Sequence, residues 1–193
     1  MQNIELSLFC QLEGARVLLR TPTMNDISAI IKYYKKNETY LAPFEPVKCD
    51  DFYTEDFWEK KIKNMIKEIH NKTSLRLFIY ENNHPDIVIG TISFKDFSPF
   101  PSYTCNLRYS IAKTKQGNGY MTESLKLAIK YVFEELHIHK IIAKYMPIND
   151  KSNNLLKGLG FYVEGYFREC VLINNHWEDH IVASLINKDW KEP

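Results

Sequence analysis

Gly117 and Gly119 flank Asn118 just ahead of a run, from Tyr120 onward, whose apolar residues recur at helical spacing. Glycines let a backbone turn sharply and bring its N–H groups up to a ligand with no side chain in the way. The first N–H groups of a helix lack internal partners and lie at the positive end of its dipole. A strand that feeds such a loop and then a helix is therefore an anion site, and a pyrophosphate is its natural occupant. The glycines could equally do no more than make the turn. Of the specific phosphate motifs, the dinucleotide pattern GxGxxG is incomplete: Thr122 stands where its third glycine belongs, and no simple βαβ unit surrounds it. A P-loop is excluded, because no Gly-Lys-Ser/Thr follows.

The elements that must position this loop can be read from hydrophobic period and turn residues. A strand is expected over 15–20, then a helix capped by Thr23 or Asn25, with Ile27, Ile30, Ile31 and Tyr34 on one face. Two prolines make 41–47 an irregular loop. A second helix over 54–71 places Trp58, Ile62, Met65, Ile66 and Ile69 inward, and its start is crowded with acidic residues that suit the dipole. Three strands over 75–80, 87–94 and 103–111, separated by Asn/Pro-rich turns, form an antiparallel meander. A helix over 119–136, a strand over 139–145 and a helix over 151–159 closed by Gly160 follow. A hairpin of 162–173 and 176–186 turns at Asn174-Asn175. The order β-α-α-β-β-β-α-β-α-β-β is a mixed α/β domain of α+β type, and its paired strands disfavour a doubly wound parallel sheet.

Composition narrows the classes. The 193 residues suit one domain spanning 1–193, and 45% hydrophobic with 25% charged residues excludes a disordered or collagen-like chain. Lys plus Arg at 25 against Asp plus Glu at 24 disfavours a broad nucleic-acid binder. No apolar run is long enough for a membrane span, so no membrane partner is expected. The N-terminal stretch carries Glu5 and lacks a basic leader region, which together with four unpatterned cysteines points to a reducing cytoplasm. Neither the cysteines nor the pairs His137/His139 and His176/His180 converge on a carboxylate pattern, so core or hydrogen-bonding histidines are expected and no metal.

A second segment some thirty residues after the glycine loop runs from Asn149 through Ser152 to Gly160-Phe161. Together with Gln116-Gly-Asn-Gly-Tyr-Met121, it resembles the acetyl-CoA-binding core of the GCN5-related N-acetyltransferases (GNAT). That family's loop pattern is Q/R-x-x-G-x-G/A; Gln116 and Gly119 match it, and Met121 replaces the last small residue. The likeness extends over nearly the whole chain to the RimJ-type, ribosomal-protein-alanine branch. It is carried by Leu41-Ala-Pro-Phe-Glu-Pro-Val47, Gly90, Tyr109-Ser-Ile111, His137-Ile-His139, Ala143-Lys-Tyr-Met-Pro147, Gly165-Tyr166 and His176-Trp-Glu-Asp-His180.

The resemblance implies a mostly antiparallel central sheet, flanked by helices, that splays between two parallel strands, here near 103–111 and 139–145. It implies acetyl-CoA as cosubstrate, with main-chain groups of Tyr109, Ser110 and Ile111 on the pantetheine. Gln116, Gly117, Asn118, Gly119, Tyr120, Met121 and Thr122 would hold the pyrophosphate, and Asn149 and Ser152 would lie on the arm. Leu156 stands where many members carry a proton-donating Tyr, which leaves Ser152 or a water to serve the departing thiolate. Helix capping is the competing role for Ser152. Glu169 is the candidate base through water, with an exposed strand carboxylate as the alternative. Glu45, with Phe44 packed beside it, is the candidate anchor for the incoming ammonium.

The implied function is direct acetyl transfer to the N-terminal α-amine of a protein, a ribosomal protein with N-terminal Ala in the first instance. An α-amine, with pKa near 8, is on the order of a tenth neutral at pH 7, whereas a lysine amine near 10.4 needs a stronger base. The enzyme is expected as a monomer or weak homodimer. Acetylation of a polyamine or aminoglycoside, and a non-catalytic CoA-binding module, are the alternatives.

Overall fold

The computed structural model describes residues 9–192; Glu5 and the rest of the stretch read for a leader up to residue 8 lie outside the described residues. The strands are β1 (Gln11–Glu13), β2 (Val17–Arg20), β3 (Leu75–Glu81), β4 (His84–Ser98), β5 (Thr104–Ile111), β6 (Lys140–Tyr145), β7 (Tyr162–Ile173) and β8 (His176–Ile186). The helices are α1 (Ile27–Leu41), α2 (Glu55–His70), α3 (Tyr120–Glu134) and α4 (Asp150–Gly158). The strands form one sheet in the order β1-β2-β3-β4-β5-β6-β8-β7, antiparallel except where β5 meets β6. This is the α+β arrangement expected, with a parallel pair inside a mostly antiparallel sheet.

Three boundaries differ from the reading of the sequence. The strand expected over 15–20 is β2 alone, and a further strand, β1, precedes it across a turn in which the Gly14 N–H donates to the Val17 carbonyl at 2.8 Å. A three-residue strand is too short to display a period. β4 has fifteen residues rather than eight, because register shifts absorb the Pro and charged residues at its ends. Leu41 closes α1 and Ala42–Phe44 continues it as a short 3-10 turn, so the first half of the 41–47 loop is helical. Ile66, expected to face inward on α2, is exposed.

The sheet has helices on both faces. α3 and α4 cover one, where Leu19, Leu77, Ile92, Leu107, Leu125, Val132 and Leu156 form the core. α1 and α2 cover the other over Tyr33, Tyr34, Trp58, Ile62, Phe78 and Tyr80. β3 contributes to both clusters from alternate residues, which explains its nearly unbroken apolar run Leu-Arg-Leu-Phe-Ile-Tyr. The α2 start follows the sequence closely: the Thr54 hydroxyl accepts from the Phe57 N–H, and Glu55 and Asp56 occupy the first turn.

Parallel pairing puts the C-terminal ends of β5 and β6 side by side. The chain leaves β5 for the glycine loop and α3, and leaves β6 for α4. Two helix N-termini are thereby delivered to the same edge of the fold.

Candidate active site

β5 and β6 pair only from Thr104 with Lys140 to Leu107 with Ala143. Beyond that they part. β5 stays on β4 up to Ile111 opposite Gly90, and β6 stays on β8 up to Tyr145 opposite Ile181. A wedge opens beside Tyr109, Ser110 and Ile111, whose β6-facing main-chain groups lie outside the parallel ladder. Gly90 keeps β4 tight against this stretch, since a Cβ there would meet the Ser110 carbonyl oxygen at 2.7 Å.

Gly117 and Gly119 both take positive φ, at 73° and 78°, and Gly119 is the N-cap of α3 with no side chain capping the helix. The leading N–H groups, at Tyr120, Met121 and Thr122, are therefore open to a ligand. Met121, which departs from the small residue of the motif, is buried, so its bulk faces the core rather than the loop. Gln116 is held at both ends of its amide: its Oε1 accepts from Lys151 Nζ on α4 at 2.7 Å, and its Nε2 donates to the Tyr40 hydroxyl on α1. Asn118 Nδ2 donates to the Gln116 carbonyl at 2.9 Å.

Arg16 fastens the loop from outside. Its Nη1 donates to the Asn118 carbonyl at 2.9 Å and its Nε to Glu123 at 2.9 Å, while its guanidinium stacks over Tyr120. Burial raises the Glu123 pKa, but the Arg16 N–H groups outweigh it and hold the carboxyl below its usual value. Lys115 adds charge on the other side through Glu81, which also accepts from the Tyr120 hydroxyl at 2.6 Å. Sequence reasoning missed Arg16, Tyr40 and Lys151. Arg16 lies 107 positions from Glu123, and the scarcity of Arg in a Lys-rich chain was its one available signal.

At α4, Asn149 is the cap: its Oδ1 accepts from the Ser152 N–H at 3.1 Å, so the Ser152 hydroxyl does not serve as the cap. That hydroxyl neighbours the Tyr109 phenol, which is buried, has no hydrogen bond of good geometry, and is pushed up by burial to about 12, Ser152 lowering it only in part. Tyr145 donates to Asn153 Oδ1 at 2.9 Å. Leu156 is buried in the core.

On the opposite face, Ser110 Oγ and the Tyr33 hydroxyl lie 2.9 Å apart, and the Tyr34 hydroxyl accepts from Arg76 at 2.6 Å. Glu45 and Phe44 are half-buried at the end of the turn after α1. Burial pushes the Tyr33 and Tyr34 phenols up, and the charge of Glu45 reaches both. Glu45 is paired with Lys48 at 2.5 Å. The β7–β8 turn folds onto the same segment, Asn174 Nδ2 donating to the Ala42 carbonyl at 2.9 Å. Glu169 is exposed at a bulge with φ 47°, where its N–H donates to Asp179 Oδ1 at 2.7 Å. No hydrogen bond or ion pair among the described residues joins the Glu169 carboxylate to the other candidates. Of the histidines, His180 is buried beside the Glu178 carbonyl, and His139 sits edge-on to Trp190.

A wedge between parallel strands, with an uncapped helix N-terminus at its mouth, is thus present. The GNAT acetyltransferase domain model matches residues 16–162. The chain belongs to the GNAT family. It is 35% identical to the [ribosomal protein uS5]-alanine N-acetyltransferase of Escherichia coli over 91% of this chain and 90% of that one. The crystal structure of ribosomal-protein-S5-alanine acetyltransferase from Vibrio fischeri superposes with a TM-score of 0.90, at 31% identity, over 95% of this chain and all of that one. Mycobacterium smegmatis RimJ, solved in complex with CoA-disulfide, superposes at 0.84 with 20% identity over 95% of this chain and 89% of that one. Against the GNAT pattern, the loop and α4 keep their form here while Leu156 removes one hydroxyl. The Tyr109 and Ser152 hydroxyls neighbour each other between β5 and α4.

Proposed function

We propose that this GNAT protein transfers acetyl from acetyl-CoA to the N-terminal α-amine of a protein, with a ribosomal protein bearing N-terminal Ala as the acceptor. The observation that carries this reading is the acceptor face. There Glu45 is already paired with Lys48, and the sheet beside it carries Arg76, Lys95 and Arg108. A polyamine or aminoglycoside carries several cationic groups and needs a trough of carboxylates. A peptide terminus needs one anionic anchor and an open groove.

Acetyl-CoA supplies an activated acyl group and a thiol leaving group. The N–H groups of Gly117 to Thr122 hold its pyrophosphate, with Arg16 keeping the loop in shape. Tyr109, Ser110 and Ile111 offer main-chain partners to the pantetheine amides, and the free Nδ2 of Asn149 lies at the start of α4. Glu45 exchanges Lys48 for the acceptor ammonium, and Glu169 relays the amine proton to water. In the transfer the amine N–C bond forms, the C–S bond breaks, and the proton that the amine releases balances the thiolate. A thiol with pKa near 8.5 is a good leaving group, so the Ser152 hydroxyl need only hydrogen-bond the developing thiolate.

Three expectations follow from this reading. Ser152→Ala should lower kcat about tenfold with KM for acetyl-CoA nearly unchanged, the worth of one hydrogen bond to a charged group. An unchanged kcat in steady-state assays would retire Ser152 and leave water in its place. Glu45→Gln should do the reverse, raising KM for the peptide several-fold with little change in kcat, because it removes ground-state binding. With an α-amine acceptor, kcat/KM should rise with pH and level off above roughly 8, as the amine loses its proton. A rate still climbing steeply beyond pH 9 would mark a lysine or polyamine amine instead.

A further inference from the structure

The face of the sheet under α1 and α2 carries cations that the roles above do not use. Arg76 on β3 is in register with Ser93 on β4, and Ser93 with Arg108 on β5. Lys144 on β6 follows one step after the last parallel pair, Leu107 with Ala143, so it stands level with Arg108. Arg76 and Arg108 thus stand on one row two strands apart, about 9.6 Å, and Lys144 continues it beside Arg108 at the point where β5 and β6 begin to part. Arg76 donates to Tyr34 of α1, and Ser110, two residues on from Arg108, meets Tyr33 of α1, which fixes the row on the acceptor face. Lys95, opposite Asn106 on β5, and the half-buried Lys61 of α2 extend it.

Among the described residues none of these five cations has a carboxylate ion pair. Some lysines elsewhere do have one: Lys48 with Glu45, Lys115 with Glu81, Lys140 with Glu164. Glu68, which acts on Lys95 from α2, already accepts from Asn64 and Ser74. Lys144 rests over the Phe167 ring at 5.0 Å. Burial, then Arg76, Lys61 and Arg108, lower the Lys95 pKa, the mark of like charges held together. In a chain of net charge +1 this is a local concentration, and an anion laid on it relieves a repulsion that the fold otherwise bears.

We propose that this row is a subsite for a carboxylate side chain early in the acceptor, so that the enzyme selects acidic N-terminal segments. The subsite rests on the α-amine reading of the site. With its ammonium at Glu45 beside the Tyr33–Ser110 pair, an extended acceptor advances about 3.4 Å per residue. Arg108 lies one strand repeat, about 6.8 Å, from Ser110. The side chain of the second or third acceptor residue therefore reaches the row.

The test compares peptides that begin with Ala and carry Glu, Gln or Lys at the second and third positions, followed by mass spectrometry. For the wild-type protein at low salt, kcat/KM for the Glu peptide should exceed that for the Gln peptide about tenfold, the effect of one or two partly exposed ion pairs. The Lys peptide should be the poorest, and added salt should compress the series. Arg108→Gln with Lys144→Gln, both at exposed positions, should bring the Glu and Gln peptides to equal rates while the Gln peptide rate stays unchanged. Arg108→Glu with Lys144→Glu should turn the preference toward Lys. Equal wild-type rates on Glu and Gln peptides would overturn the subsite and leave α-amine acetylation standing. Oligouridylate binding that is lost in the double variant, without peptide discrimination, would assign the row to nucleic acid and overturn the subsite as well. Acetylation of spermidine with no α-amine acetylation of any peptide would remove the α-amine reading and the subsite together.

Discussion

Replacing Gly119 by valine is expected to weaken acetyl-CoA binding by a hundredfold or more and to erase the thermal stabilisation that the cosubstrate gives. Gly119 holds φ 78° as the N-cap of α3, a conformation that costs an L-residue about 1–2 kcal/mol and a β-branched one more. A Cβ there would also stand 3.2 Å from Arg16 Nη2, the arm that fastens the loop. The chain relieves both by rotating the loop, and the N–H groups then no longer converge on one point. Two charge-assisted hydrogen bonds lost at about 1.5–3 kcal/mol each account for the hundredfold. Isothermal titration and the shift in melting temperature with acetyl-CoA measure it. Gly158→Ala is the control, because nothing lies within 4 Å of an added Cβ and its backbone is helical. A Gly119→Val protein that binds acetyl-CoA as tightly as the Gly158→Ala protein would move the phosphate site elsewhere.

The second large effect concerns stability. Asp26 is buried and takes two bonds from Arg20 at 2.6 and 2.7 Å, one from the Thr23 N–H at 2.7 Å and one from the Thr23 hydroxyl at 2.8 Å. The Arg20 guanidinium stacks over the buried Tyr80 ring. Burial raises the Asp26 pKa, but the hydrogen bonds from Arg20 and Thr23 outweigh it, so the folded carboxyl titrates below its ordinary value. The sign follows. A group depressed on folding contributes fully above its unfolded pKa of about 3.9, and that contribution is lost as pH falls through the folded pKa. Asp26→Asn leaves the half-buried Arg20 without its counter-charge and should cost about 3 kcal/mol, a fall in Tm of roughly 6–12 °C for a chain of this size. The loss should be full at pH 7 and shrink below pH 4, where the native carboxylate also protonates. Melting curves of both proteins across that range check it, and a deficit independent of pH would show that the charge is not the cause.

Local features were legible. The α2 start near Thr54, the Gly160 stop after α4 and the hairpin turn at Asn174-Asn175 each depend on a few adjacent residues, and the structure has them where the sequence puts them. The Asn149 and Ser152 spacing was legible as a helix start, and Asn149 rather than Ser152 proves to be the cap. What could not be read was the assembly of distant parts. Residue period says nothing of the wedge, which exists because β5 keeps pairing with β4 while β6 keeps pairing with β8. Arg16 on Glu123 and Tyr33 on Ser110 join segments 107 and 77 positions apart, with no pattern between them. The basic row is invisible for the same reason, since its members come from different strands and a near-neutral total hides them.

One measurement bears most directly on the reading of this GNAT protein as an α-amine acetyltransferase. A peptide beginning with Ala and carrying an internal Lys is incubated with acetyl-CoA and enzyme beside an equal concentration of spermidine. Tandem mass spectrometry then locates the acetyl group. A single acetyl on the α-amine of Ala, formed faster than acetylspermidine and absent with the Gly119→Val protein, is the result predicted. Acetyl found on spermidine or on the Lys side chain, with the α-amine left free, would contradict it.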